Sequence, residues 1–170
     1  MGRSHAMNAG IELRELGQLN TQQLHDLRML KIPDQQVEFG GSFSQSVDEC
    51  LGGPPASIRG LGILLDGLPI GLVVLKRPPL SPEWAAEDMI TLHGLKIDAR
   101  WQGQGHGKAG FTGAVALCAA IWPEAKRLAL TVDADNHVAL ALYKGFGMTD
   151  SGPVIQGRIG LEHRLEIALD

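Results

Sequence analysis

The sequence predicts an α/β fold, in which apolar strands alternate with amphipathic helices. Short apolar runs of strand length are interleaved with segments whose apolar residues recur at helical spacing. Asp66-Gly67 lies between two such runs and indicates a β-hairpin. A glycine-rich turn, residues 101–107, leads directly into an Ala-rich helix. The chain has 170 residues and should bury about 70% of the surface that its unfolded form exposes, enough for a hydrophobic core.

Capping residues and breakers set the limits of each element. Thr21 is expected to cap the first helix, Pro123 to stop the longest one and Gly145 to close the last. The predicted strands are 11–16, 58–65, 70–75, 91–98, 127–132, 148–154 and 158–168; the predicted helices are 21–29, 45–51, 108–122 and 137–144. Residues 77–83 contain three prolines and should form an exposed loop.

Composition excludes several classes of protein. A formal net charge of -4 and a pI near 5.8 argue against a nucleic-acid partner. No apolar run approaches the roughly 18 residues of a membrane span. The only cysteines, Cys50 and Cys118, are expected to be reduced thiols of a cytoplasmic protein. Residues 1–6 look like an expression remnant, which leaves a single domain over residues 7–170.

The glycine-rich turn predicts a phosphate site. Gly103, Gly105 and Gly107 can adopt unusual dihedrals and let a ligand approach the main chain. The positive end of the following helix then favours an anion. A Walker A loop is excluded, because it would need glycine in place of Gln102 and a hydroxyl in place of Ala109. A dinucleotide fingerprint fits the spacing but should close the first strand of a βαβ repeat, not follow the middle of a short chain.

A third pattern fits better. Gln102, Gly105 and Gly107 satisfy Q/R-x-x-G-x-G/A, and about thirty residues later the chain reads LTVDADNHVALALYKGFGM over residues 130–148. These two blocks, in this order and at this distance, resemble the GNAT superfamily of acyl-CoA-dependent N-acyltransferases. The resemblance implies a mixed, mostly antiparallel twisted sheet with helices on both faces. Its central parallel strands splay apart, and acetyl-CoA, the implied co-substrate, lies in the gap.

The resemblance also assigns the residues that would bind the co-substrate. One wall of the gap would be Leu95, Lys96 and Ile97, and the other residues 130–132. Asn136 would bond the pantetheine arm while it caps a helix. The loop that cradles the pyrophosphate would comprise Gln102, Gly103, Gln104, Gly105, His106, Gly107 and Lys108.

Two residues are candidates for proton transfer, since the attacking amine must lose a proton and the departing thiolate must gain one. Tyr143, the only tyrosine of the chain, matches the tyrosine that faces the sulfur in the family; periodicity alone would make it an amphipathic core residue. His93 shares strand parity with Leu95 and Ile97, so it should face the gap and could relay the amine proton. It could equally be a hydrogen-bonded histidine on a half-buried strand. The remaining histidines lack metal-ligand spacing, so no metal site is expected.

A narrower similarity concerns the acceptor. The segments IDARWQGQGHGKA, KIPDQQVEF and SGPVIQGRI are similar to bacterial spermine/spermidine acetyltransferases. A small-molecule amine, favoured to be polyamine-like, is therefore the expected acceptor, with an amino acid, aminoglycoside or peptide N-terminus as alternatives. Those relatives tend to carry an acidic residue in place of His93. The candidates to supply the negative charge instead are Glu38, Glu83, Glu87 and Asp88.

A catalytically silent acyl-CoA-binding regulator and an NAD-dependent oxidoreductase are the rival functions from other classes of protein. A homodimer is a further expectation.

Overall fold

The computed structural model describes residues 10–170, with side chains except those of residues 38–40. The predicted expression remnant, residues 1–6, lies outside the described residues. The strands are β1 (Ile11–Glu15), β2 (Ile58–Leu65), β3 (Leu68–Lys76), β4 (Met89–Ile97), β5 (Arg127–Asp133), β6 (Thr149–Asp150), β7 (Ile155–Gln156) and β8 (Leu161–Ala168). The helices are α1 (Thr21–Arg28), α2 (Asp34–Gly40), α3 (Phe43–Gly52), α4 (His106–Ile121) and α5 (His137–Gly145), with short 3₁₀ turns at Leu16–Gln18 and Ala99–Trp101.

The strands form one sheet in the order β1-β2-β3-β4-β5-β8-β6, with β7 also paired to β8. Every neighbouring pair is antiparallel except β4 and β5. Those two central strands are parallel and pair only from Met89–Arg127 to Thr91–Ala129. Beyond these three pairs they diverge, as the resemblance implied, and the divergence positions the site.

Two hydrophobic clusters cover the two faces of the sheet. Alternation along β3 sends Val73 and Leu75 into a cluster with α4, and Leu72 and Val74 into a cluster with α1 and α3. One stripe of α4 and its C-cap, made of Phe111, Val115, Cys118 and Trp122, packs in the first cluster. The predicted mixed sheet with helices on both faces is therefore confirmed.

Local signals predicted some boundaries well and others wrongly. Asp66 and Gly67 have φ values of 50° and 83°, as a two-residue hairpin turn requires. The cap of α1 is not Thr21 but Asn20, whose side chain accepts from Gln23 N–H while the Gln23 side chain accepts from Asn20 N–H.

Three further boundaries differ. Gly145 does not close α5 but is its last helical residue, and the positive φ of 103° falls on Gly147. Helix α2 was not predicted, because seven residues show too little periodicity. The strand predicted over residues 148–154 is only two residues long, since Gly152, at φ 88°, and Pro153 interrupt it.

Candidate active site

The divergence of β4 and β5 opens a cleft of about 790 Å³. Leu95 and Lys96 of β4 line it, and so do Leu130, Thr131 and Val132 of β5, as predicted. Ile97, predicted for the same wall, is only 7% exposed and belongs to the core beside α4. The two strands form the walls because, within the described part of the chain, no strand pairs with their inner edges beyond Thr91 and Ala129. Such edges leave main-chain N–H and C=O groups facing the cleft.

A bulge in β4 changes which side chains share a face. Val74 pairs with His93 and Leu72 with Lys96, so β4 carries one more residue than β3 over this interval. Gly94, at φ 58°, absorbs the extra residue. The parity argument that placed His93 on the same face as Leu95 and Ile97 is therefore wrong, because alternation is interrupted between them.

His93 nevertheless lines the cleft. Its Nε2 atom lies 2.7 Å from Thr91 Oγ1, which fixes the plane of the imidazole. Burial is the main cause that lowers the pKa of His93 to about 4; Lys76 lowers it further and Glu49 partly opposes the shift. The imidazole is therefore neutral at physiological pH, so it can accept a proton but is a weak base.

Tyr143 projects from α5 into the same cleft. Its ring lies edge-on to Phe111 at 5.8 Å and to Phe146 at 5.7 Å, measured between centroids. Burial raises the pKa of its hydroxyl to about 12. The phenol therefore keeps its proton at neutral pH and can donate it to a stronger base formed in the cleft.

Asn136 fulfils the structural half of its predicted double role. Its Oδ1 accepts from Ala139 N–H at 3.1 Å and caps α5. The same residue lines the cleft. Because the cap occupies the amide oxygen, a ligand in the cleft would meet the amide nitrogen as a donor.

The glycine-rich loop precedes α4, a helix of 16 residues. Gly103 and Gly105 have φ values of 75° and 84°, as predicted for a turn that only glycine adopts freely. Gly107 does not need such freedom: it lies in the first turn of α4, and a Cβ added there would meet no described atom within 4 Å. Its lack of a side chain keeps the helix N-terminus accessible, where an anion is favoured.

The other loop residues occupy different environments. Gln102 does not project as a free arm, since its Nε2 donates to Ile97 O at 2.8 Å and to Gln36 Oε1 at 3.1 Å. Gln104 and Lys108 are exposed. His106 is half-buried beside Trp101, and among the described residues its buried Nδ1 has no hydrogen-bond partner. An unpartnered polar atom beside a helix N-terminus fits a ligand that carries phosphate oxygens.

Sequence reasoning missed the far wall of the cleft, which α3 and β3 supply. Lys96, only 5% exposed, donates from Nζ to Ser46 Oγ at 2.7 Å, and burial lowers the pKa of its ammonium to about 8. Next to it, Lys76 Nζ and Glu49 Oε2 form an ion pair at 2.8 Å. Lys96 was predicted, but no local motif marks Ser46, Glu49 and Lys76, because only the packing of α3 and β3 brings them to the cleft.

The acidic residues that line the cleft are also not those expected. They are Glu49, Asp133 and Glu162. Asp88 instead pairs with Arg127 at 2.7 Å, and Glu83 and Glu87 do not line the cleft. The side chain of Glu38 lies outside the described part of the chain. Within residues 10–170, no cluster of three or more metal-ligating side chains occurs and no helix is long and apolar enough to span a membrane.

Known proteins share this architecture. The model of the acetyltransferase (GNAT) family matches residues 24–148, so the chain belongs to that family. A spermidine N-acetyltransferase from Vibrio cholerae, solved with CoA and spermine, has a TM-score of 0.71 at 18% identity and covers 95% of this chain and 97% of its own. The GNAT domain of S. lividans PAT has a TM-score of 0.71 at 17% identity, over 94% of this chain and 90% of its own. Both show that the fold is shared.

A curated relative is similar over a shorter stretch. It is a Bacillus subtilis (strain 168) protein named as a candidate ribosomal protein bS18-alanine N-acetyltransferase. The two are 38% identical over 69 residues, which cover 41% of this chain and 44% of the relative. The match therefore spans less than half of the relative's length.

Proposed function

We propose that this chain transfers an acetyl group from acetyl-CoA to a primary amine of a small molecule. The observation that carries the proposal is the cleft between β4 and β5, which brings Tyr143 and His93 to one cavity, while Gln102 of the glycine-rich loop bonds Gln36 in the lining of that cavity. No cysteine or serine of the sequence shows the signature of a nucleophile, and burial raises the pKa of Cys50 and Cys118 to about 12. Transfer is therefore direct, within a ternary complex.

Each proposed step belongs to named groups. The loop from Gln102 to Lys108 and the amide of Asn136 hold acetyl-CoA, and exposed N–H groups of β4 polarise the acetyl carbonyl. His93, neutral at physiological pH, accepts the proton that the amine releases. Tyr143 donates its proton to the departing sulfur.

The acceptor that we favour is polyamine-like. Of the three carboxylates that line the cleft, Glu49 is paired with Lys76, so Asp133 and Glu162 are the ones that would attract a cationic amine. The spermidine acetyltransferase of Vibrio cholerae has the same fold. The bS18-alanine relative makes a peptide N-terminus the main alternative, followed by an amino acid and an aminoglycoside.

The direct test is release of CoA thiol from acetyl-CoA in the presence of polyamines, amino acids, aminoglycosides and N-terminal peptides. Blanks without acceptor correct for reaction of Cys50 and Cys118. Turnover confined to polyamines would support the favoured acceptor, whereas turnover on another amine would retain the reaction and change the substrate class. Binding of acetyl-CoA without turnover on any amine would favour a non-catalytic regulator.

Replacement of Tyr143 by Phe tests the proposed acid. The aromatic contacts with Phe111 and Phe146 remain, but the proton donor is lost, so kcat should fall about 10²- to 10⁴-fold with little change in acetyl-CoA affinity. Thr112→Ala, which removes a hydroxyl from an exposed position of α4, is the matched control and should keep full activity. A Tyr143→Phe enzyme with unchanged kcat would refute the assignment.

We also propose that a single domain over residues 7–170 carries the activity, and that it acts as a cytoplasmic homodimer. Exposed apolar side chains near the β7–β8 end of the sheet, Val154, Ile159 and Leu161, support an association surface. Light scattering should give twice the 18.2 kDa chain mass, and a mass of one chain across micromolar concentrations would exclude the dimer.

A further inference from the structure

A buried carboxylate joins the end of β4 to Lys31, in the connection between α1 and α2. Asp98, only 3% exposed, accepts from Lys31 N–H at 3.1 Å, from Arg100 N–H at 3.0 Å and from Arg100 Nε at 2.9 Å. Burial alone would raise the pKa of Asp98, but these hydrogen bonds outweigh burial and hold it below its usual range. The carboxylate is thus ionised and ties Lys31 to the segment that enters the glycine loop.

Lys31 is held on its carbonyl as well, because Ala99 N–H donates to Lys31 O at 2.8 Å. The next residue, Ile32, lines the cleft. The main-chain N–H and C=O groups of Lys31 are therefore both hydrogen-bonded to the two residues that follow β4, Asp98 and Ala99. These bonds fix the connection between α1 and α2 to the end of β4.

A second set of hydrogen bonds, made by the side chain of Gln102, also joins the end of β4 to α2. Gln102 Nε2 donates both to Ile97 O and to Gln36 Oε1, and Gln36 of α2 lines the cleft. Gln102 is the first residue of the predicted pyrophosphate loop. The side chain thus joins that loop to α2, and a change in the position of one alters the hydrogen bond to the other.

We propose that Asp98 and Gln102 are positioning residues that couple the loop binding CoA to residues 31–40, of which Ile32 and Gln36 line the cleft where we expect the acceptor to bind. This inference rests on the proposed function. CoA bound at residues 102–108 fixes Gln102 and thereby holds α2 in place, so acceptor affinity rises when CoA is bound. By linkage, the acceptor raises the affinity for acetyl-CoA by the same factor.

Hydrogen–deuterium exchange with and without CoA tests the coupling without any acceptor. In the wild-type protein, CoA should slow exchange in residues 102–108 and also in residues 31–40. Protection of the loop alone would overturn the coupling and leave the proposed co-substrate intact. Protection of neither segment, with no CoA bound, would overturn the proposed function and the coupling with it.

Variants of two adjacent glutamines separate coupling from a general structural effect. Asp98→Asn perturbs a buried network and could prevent folding, so Gln36→Ala, which removes only the acceptor of the Gln102 bond, is the informative change. Gln35→Ala, at an exposed position of the same helix, is the matched control.

In Gln36→Ala, CoA should still protect residues 102–108 but no longer residues 34–40. The acceptor KM at saturating acetyl-CoA should rise about 2- to 10-fold, the range expected for one hydrogen bond, with kcat unchanged. Gln35→Ala should behave as the wild type. Full protection of residues 34–40 in Gln36→Ala would refute the role of Gln102.

Discussion

At the residue scale, the environment of His93 predicts a pH dependence of stability. Its pKa is about 4 in the folded protein and about 6.5 in the unfolded chain. Between these values the unfolded chain binds more protons, so the contribution to stability is complete above pH 6.5 and is lost as pH falls toward 4. The loss is at most about 3 kcal/mol. Urea unfolding at pH 7.5 and 4.5 should show a smaller difference for His93→Asn than for the wild type. An equal difference would mean that His93 is not responsible.

The same residue has a second consequence, for the rate. Because the imidazole of His93 is neutral at all pH values above about 4, its titration should not affect kcat/KM between pH 5 and 8. His93→Asn should lower kcat about 10²-fold or more if the imidazole accepts the amine proton. A variant with wild-type kcat would show that water carries the proton instead, and Tyr143→Phe would then remain the only large loss.

At the scale of the element, the backbone conformations of the β4 bulge and of α5 predict opposite effects for two Gly→Ala substitutions. Gly94 has φ 58°, where an alanine costs about 1–2 kcal/mol, so Gly94→Ala should lower the free energy of unfolding by that amount. Gly145 lies in α5, and a Cβ added there would meet no described atom within 4 Å, so Gly145→Ala should raise it by about 0.5 kcal/mol. Thermal and urea unfolding measure both. A Gly94→Ala protein as stable as the wild type would show that the left-handed φ is not needed.

The elements also show which features could be predicted from the sequence. The Asp66-Gly67 turn and the glycine loop are determined by adjacent residues, so their local signals were sufficient. The bulge in β4 had a local signal, the isolated Gly94 inside an apolar strand, but the expected parity of His93 assumed unbroken alternation and was therefore reversed. Ser46, Glu49 and Lys76 reach the cleft from α3 and β3 only through tertiary packing, so no spacing in the chain could identify them.

At the scale of the whole molecule, the splayed sheet predicts a large response to ligand. Strands β4 and β5 pair over only three residues, and under the proposed function acetyl-CoA would bridge the rest of the gap. A ligand that binds only the folded state at 100 times its Kd stabilises it by about 2.7 kcal/mol. For a chain of this size, that free energy should raise Tm by about 5–10 °C.

Differential scanning calorimetry with acetyl-CoA and with NAD distinguishes the two nucleotides that the glycine spacing admits. Acetyl-CoA should raise Tm and NAD should leave it unchanged, because the loop follows β4 at the open edge of the splay instead of closing the first strand of a βαβ repeat. The shift depends on binding alone, so it is independent of the acceptor and of the proton-transfer residues. Stabilisation by NAD and none by acetyl-CoA would therefore contradict the proposed co-substrate, whether or not any activity has been measured.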